Sequence, residues 1–371
     1  MTGFSGTTLV FRVDASLQIG SGHVMRCLTL AQALKAGGAR CCFVSRTHEG
    51  HLLEQIAQHG FEVTALPMAA PGFVTAPGGP VHASWLDCTA KVDALQTLSA
   101  IENQRVDWLV ADHYAIDATW ESLVRPQVLR LMVIDDLADR IHRCDLLLDQ
   151  NLGRRSGDYA AMVPPSCRVL AGPMYALLRP EFAALREYSL RRRSSPRLQR
   201  VLIAMGGVDR DDATGTVLAA LRQGDLPTSC RLTVVMGANA PWLKQVSDLA
   251  ARLPWPTEVL VSVPDLAQRM ADADLSIGAA GGTAWERCCL GLPSLVIVLA
   301  ENQRASAAAL EAAGAAWLLG DIDTAAGKLP AALHRLADGA EARKLADAAA
   351  AVTDGQGCAR VLAEMVARAG V

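Results

Sequence analysis

The chain has 371 residues, 51% hydrophobic and 20% charged, with a net charge of −3. That length suits two domains, each able to bury a core, and the composition excludes extended disorder and a basic nucleic-acid footprint. No apolar run reaches the roughly 18–20 residues that span a bilayer, and no charged-then-apolar leader opens the chain. A cytoplasmic protein with neither a nucleic-acid nor a membrane partner is expected. The ten cysteines are scattered or adjacent, as at Cys41-Cys42 and Cys288-Cys289, without C-x-x-C or H-x-x-x-H spacing. They read as free thiols in a reducing compartment, with no metal site.

In chain order, the first half alternates strand-like and helix-like segments. Strands are predicted at 9–13, 41–45, 62–66, 108–111, 131–134 and 146–148. Helical patterns begin at Gly22, span 50–58 and 92–102, and follow Asp117. This order implies a parallel sheet covered on both faces. The Pro/Gly/Ala-rich stretch 69–80 reads as a loop. Residues 188–200, rich in Arg and Ser, mark a composition shift. A solvated linker is expected there, between an N-terminal domain of 1–187 and a C-terminal domain of 201–371. The pattern restarts with strands at 201–205, 232–236, 259–263, 275–277 and 295–299, and ends in an Ala-rich helical third. The fold class expected is α/β, with two Rossmann-like domains facing a cleft at the carboxyl ends of their mostly parallel strands.

Chemistry concentrates at those strand ends. After the first strand come Asp14 and the segment Gln18-Ile-Gly-Ser-Gly-His-Val-Met-Arg26. Gly20 and Gly22 let backbone approach a ligand, and His23 stands at a helix entrance, where free N–H groups gather. The positive helix end disfavours an imidazolium there, leaving a neutral ring able to take a proton from water. Asp112-His113-Tyr114 and Asp135-Asp136 end two further strands, as ligand contacts or as turn and cap formers. In the second half Gly206-Gly207 follows a strand. The run Ile277-Gly-Ala-Ala-Gly-Gly-Thr-Ala-Trp-Glu286 carries a glycine turn into a helix. N–H groups at Gly281, Gly282 and Thr283 suit a diphosphate. Thr283 and Glu286 have capping-box spacing, and Glu286 alternatively accepts from a ribose. Asn302 and Gln303 read as sugar contacts or as a plain helix start.

These motifs, with His142-Arg-Cys-Asp145, Gly172-Pro-Met-Tyr-Ala-Leu-Leu-Arg179 and Glu301-Asn-Gln303, make the chain resemble the PseG family. Those are the UDP-2,4-diacetamido-2,4,6-trideoxy-β-L-altropyranose hydrolases of pseudaminic acid biosynthesis. The resemblance runs over most of the chain, while the glycine turn is shared with a broader set of GT-B proteins. It implies a two-domain GT-B fold, a UDP-sugar substrate and water as reactants, and no cofactor or metal. It also implies a role toward flagellin glycosylation, while the composition leaves room for a monomer or a homodimer. His23 then matches the family's catalytic base. Asp14, Gly20, Gly22, Arg26, Tyr114, Asn302 and Gln303 fall on the sugar side. Gly206, Gly281, Gly282, Thr283 and Glu286 fall on the UDP side. Gly281-Gly282 stands where relatives often carry Ser or Thr, which shifts diphosphate contacts toward backbone. Similar proteins act on other UDP-diacetamido sugars or in spore-coat polysaccharide synthesis. A GT-B glycosyltransferase using the same donor is the alternative.

Overall fold

The apolar run near the front becomes β1 (Thr8–Val13), buried from Leu9 onward. Its alternation explains its place. Leu9, Phe11 and Val13 share a core with the first helix, α1 (Gly22–Ala36), whereas Val10 points into a separate core on the other face. Period-2 side chains buried on both sides are what a central parallel strand requires. The computed structural model describes residues 3–68, 79–102, 104–195, 197–238, 240–337 and 339–369. Most of the predicted 69–80 loop lies outside them.

Two compact units are present, 1–177 with 357–371 and 178–356. In the first, the chain continues as β2 (Arg40–Arg46), α2 (Leu53–Gln58), β3 (Glu62–Leu66), α3 (Ala90–Ile101), β4 (Val106–Asp112), α4 (Ala118–Val124), β5 (Val128–Ile134), β6 (Leu146–Asp149) and β7 (Arg168–Ala171). The sheet order is β3-β2-β1-β4-β5-β6-β7, and every pairing is parallel. Val13 pairs with Asp112, so the residues following β1 and the end of β4 leave the sheet at one level. That register gathers the motif residues.

The second unit holds α5 (Pro180–Arg192), β8 (Arg200–Ala204), α6 (Ala213–Leu221), β9 (Arg231–Met236), α7 (Leu243–Ala250), β10 (Thr257–Val261), α8 (Leu266–Asp272), β11 (Leu275–Ala279), α9 (Thr283–Cys289), β12 (Ser294–Val298), α10 (Arg304–Ala312), β13 (Trp317–Asp321), α11 (Ile322–Leu336) and α12 (Ala340–Val352). Its sheet, β10-β9-β8-β11-β12-β13, is also wholly parallel. A core of Val201, Ile203, Leu232, Val234, Ile277 and Leu295 lies on one face against α6 and α11 residues such as Leu218, Leu329 and Leu333. The last helix, α13 (Gly357–Ala369), returns to the first unit.

Three expectations need correcting. The stretch 188–200 is not a solvated linker, because its first residues continue α5, started by Pro180 at the first helical turn. Two of its arginines donate to carbonyl groups of their own unit: Arg193 to Met270 and Ala273, and Arg192 to Ala273. The unit boundary falls instead at 177/178. The C-terminal domain does not keep the chain's end. Val361 and Met365 of α13 are fully buried in the core shared by β1 and α1, and a side chain at Gly357 would strike the backbone of Ala176. The Ala-rich third also contains β13, a strand too short to show in a helix-rich context.

Candidate active site

His23 is the second residue of α1 and is almost buried. Its Nδ1 lies 2.6 Å from Oδ1 of Asp112, at the end of β4. A carboxylate can only accept, so Nδ1 carries the proton and Nε2 the lone pair. Among the described residues Nε2 makes no hydrogen bond. Arg26, one helical turn on from His23, closes around Asp112. Its Nε donates to Oδ2 at 2.6 Å and one terminal nitrogen to Oδ1 at 2.7 Å. Its other terminal nitrogen donates to Asp136 at 2.7 Å, and the Tyr114 hydroxyl donates to the same carboxylate oxygen at 2.7 Å. Burial by itself raises the Asp112 carboxyl, but Arg26 first and His23 second reverse this and hold it well below the usual carboxylate range. Asp112 is therefore a fixed anion that orients His23 and stabilises positive charge on it.

Aromatic rings stand beside this pair. Tyr114 meets His23 edge-on, with centroids 4.6 Å apart. Trp85 stacks on Tyr114 at 5.5 Å, and His82 contacts both Trp85 and Tyr114. His82 and Trp85 lie on a short 3-10 segment and its entry, and both are only partly buried.

Two residues expected on the sugar side are placed elsewhere. Asp14 is fully buried. It forms a two-pronged pair with Arg12 at 2.6 and 2.9 Å and accepts the Arg46 N–H at 2.7 Å. Arg12 also pairs with Asp93 of α3, which Arg46 and the Trp120 indole bond in turn. The cluster neutralises a charged side chain within a buried strand, where an unpaired charge would cost several kcal/mol. His113 faces Asp14 at 3.4 Å; burial pushes its imidazole down to about 3, so the ring is neutral. Arg26 is a brace for Asp112 and Asp136, its donors already engaged. Sequence reasoning missed Asp93, Arg46, His82 and Trp85. For Asp93 the signal was available, since Arg12 inside an otherwise apolar strand demands buried acids.

Gly20 has φ +80° and its N–H bonds the Ser16 carbonyl at 2.8 Å, closing the turn before α1. A side chain at Gly20 or Gly22 would meet no atom of the described residues within 4 Å.

In the second unit Gly206, at φ +103°, follows β8. Gly281 and Gly282 follow β11, the strand paired with β8. The structure brings Gln303 to this turn. Its Oε1 accepts from Leu299 N–H at 3.1 Å, and its Nε2 lies 3.7 Å from where a Cβ on Gly281 would sit. Asn302 sits on the exposed 3-10 segment Glu301–Gln303 before α10. The capping box is absent, because Gly282 occupies the cap position and Thr283 is already helical. Among the described residues, N–H groups of Gly281, Gly282 and Thr283 make no hydrogen bond. Glu286 does not cap its helix either. Its Oε1 is 3.8 Å from Arg179, and among the described residues its buried Oε2 has no partner. Burial pushes its carboxyl up to about 7, only partly offset by Arg179 and Arg287. A carboxyl left so exposed to cost is suited to accepting hydroxyl groups from a ligand.

Residues 206–360 match the glycosyltransferase family 28 C-terminal domain. The UDP-2,4-diacetamido-2,4,6-trideoxy-beta-L-altropyranose hydrolase of Campylobacter jejuni is 24% identical over 300 residues, 81% of this chain and 94% of that one. The chain is similar to this PseG hydrolase over most of its length. The spore coat polysaccharide biosynthesis protein SpsG of Bacillus subtilis is 26% identical over 83% of this chain and 82% of its own. Among solved structures, MurG of Acinetobacter baumannii superposes with a TM-score of 0.69 at 15% identity, over 97% of this chain and 99% of that one. The fold of this chain is thus GT-B. Among the described residues no helix is long and apolar enough to cross a membrane.

Proposed function

We propose that this protein is a metal-independent, inverting hydrolase of a UDP-diacetamido-trideoxyhexose, with UDP-2,4-diacetamido-2,4,6-trideoxy-β-L-altropyranose as the first substrate to test. The observation that carries the reading is the His23–Asp112 pair, braced by Arg26, at the mouth of α1 in a relative of the PseG hydrolases. His23 Nε2 takes a proton from water as the water oxygen attacks the anomeric carbon on the face opposite UDP. The C1–O bond breaks, its electron pair stays on the β-phosphate oxygen, and the configuration inverts, as in single-displacement glycosidases. Asp112 stabilises the imidazolium as it forms, the role of the carboxylate in a Ser-His-Asp triad. Base catalysis of this kind contributes about 10²–10⁴-fold.

On this reading the first unit supplies the base and sugar contacts from Tyr114, with backbone at Gly20 and Gly22. The second unit holds UDP through Glu286 on the ribose, backbone N–H groups of Gly281–Thr283 and Gly206 on the diphosphate, and Asn302 and Gln303 toward the sugar. UDP leaves readily, so no strong general acid is needed. A cytoplasmic role in pseudaminic acid biosynthesis follows from that substrate.

The test is proton NMR of the purified protein with this UDP-sugar, with EDTA present. Release of UDP and free sugar, with the initial anomer inverted, supports the proposal. Retained configuration, activity lost to EDTA, or transfer to an added acceptor in place of water contradicts it.

A further inference from the structure

Only 5% of the chain is aromatic, yet His23, Tyr114, Trp85 and His82 form one continuous cluster. A single ring, Tyr114, separates Trp85 from the proposed base. Tyr114 is buried and its hydroxyl is committed to Asp136, so it is fixed. Trp85 stacks on it with a 27° interplanar angle and remains partly exposed. Below, Trp85 packs on the core that contains Leu86, Cys88 and Trp120. It therefore presents a rigid apolar face, anchored from behind, one ring away from His23. Burial lowers the His82 imidazole, so the neighbour of Trp85 is neutral and adds no charge to that face.

We infer that Trp85, backed by Tyr114 and flanked by His82, is a specificity-determining platform for the sugar. It takes the apolar part of a 6-deoxy, N-acylated hexose, namely the C6 methyl or an acetamido methyl together with adjoining ring C–H groups. The inference rests on the proposed UDP-sugar hydrolase reading and deepens it. A 6-deoxy sugar carrying two acetamido groups offers three methyl groups, where UDP-N-acetylglucosamine offers one and keeps a hydroxyl at C6. An aromatic face rewards the methyl groups through contact area. A missing methyl or methylene in such a pocket is worth about 10–200-fold in discrimination.

The experiment compares wild type, Trp85→Ala and Trp85→Phe with UDP-2,4-diacetamido-2,4,6-trideoxy-β-L-altropyranose and with UDP-N-acetylglucosamine. It reads kcat, KM, the inhibition constant of UDP and the thermal midpoint. For Trp85→Ala the inference predicts KM for the diacetamido sugar raised about tenfold or more. Preference over UDP-N-acetylglucosamine narrows, and inhibition by UDP stays unchanged. Trp85→Phe keeps the core packing and shows an intermediate KM. KM within twofold of wild type in both variants overturns the platform. So does equal weakening of UDP inhibition alongside KM, which marks a general structural defect. A wild type that hydrolyses no UDP-diacetamido sugar overturns the hydrolase reading and the platform with it, a result distinct from an active wild type indifferent to Trp85.

Discussion

Two acidic residues, one ending a parallel strand and one in the helix that follows another, have opposite surroundings. Asp112 has both oxygens engaged by Arg26 and His23 and is held well below the usual range. Glu286 has a buried oxygen with no partner among the described residues and is raised to about 7. The first carboxylate is arranged before any ligand arrives, which suits positioning. The second costs the folded protein free energy unless donors reach it, which suits binding. On the proposed reading, the contrast separates the reacting centre from the nucleotide-recognition centre.

The comparison is broken or sharpened by four substitutions. His23→Asn has the largest expected effect, a loss of kcat of about 10³-fold or more with UDP affinity retained. Steady-state turnover and calorimetric UDP binding on one preparation check it, and near-normal kcat removes His23 as base. Asp112→Asn follows, with kcat down about 10²–10⁴-fold from the disturbed tautomer. Because Arg26 then loses its main partner, a stability loss of about 3–5 kcal/mol is also expected in denaturant unfolding.

Glu286→Gln is predicted to weaken UDP binding about tenfold at pH 8, the size of one charge-assisted hydrogen bond, and less at pH 6, where the wild-type carboxyl is itself largely protonated. Its effect on stability has the opposite sign. The folded-state value lies above the unfolded one, from 4.5 to about 7, so folded protein holds the extra proton across that window. This group's contribution to stability therefore falls as pH rises from 4.5 to 7 and then levels off. The ligand-free variant should be the more stable protein at pH 8, by about 1–3 kcal/mol, with the difference vanishing near pH 4.5. Thermal unfolding at several pH values decides this. A variant less stable than wild type at pH 8 contradicts the assignment of a burdened carboxyl. Tyr114→Phe is the mildest change. It removes one bond to Asp136 and keeps the ring, so about 0.5–1.5 kcal/mol of stability and less than tenfold in kcat are expected.

The sheet strands carrying the glycine turns and the His23 motif were legible because buried parallel strands are short apolar runs ending in Gly, Asp or His. β7 and β13 were not, since four or five residues beside a Pro-rich or Ala-rich segment leave no periodicity to read. The Arg-rich stretch misled for a related reason. Arginine suggests solvent, but Arg193 buries its guanidinium by donating to helix-end carbonyl groups. Asp14 and Arg26 were expected to contact the sugar, yet the bonds they make here are internal, and an arginine that bonds substrate looks the same in sequence as one that bonds Asp112. Trp85 lay outside every motif, because a lone tryptophan near a loop carries no spacing signal.

The central claim is that water attacks sugar carbon, and hydrolysis in ¹⁸O-enriched water tests it most directly, with ³¹P NMR of the released UDP as the readout. Attack at carbon predicts UDP without ¹⁸O on its β-phosphate. A β-phosphate carrying one ¹⁸O would place the attack on phosphorus and contradict the mechanism assigned to His23.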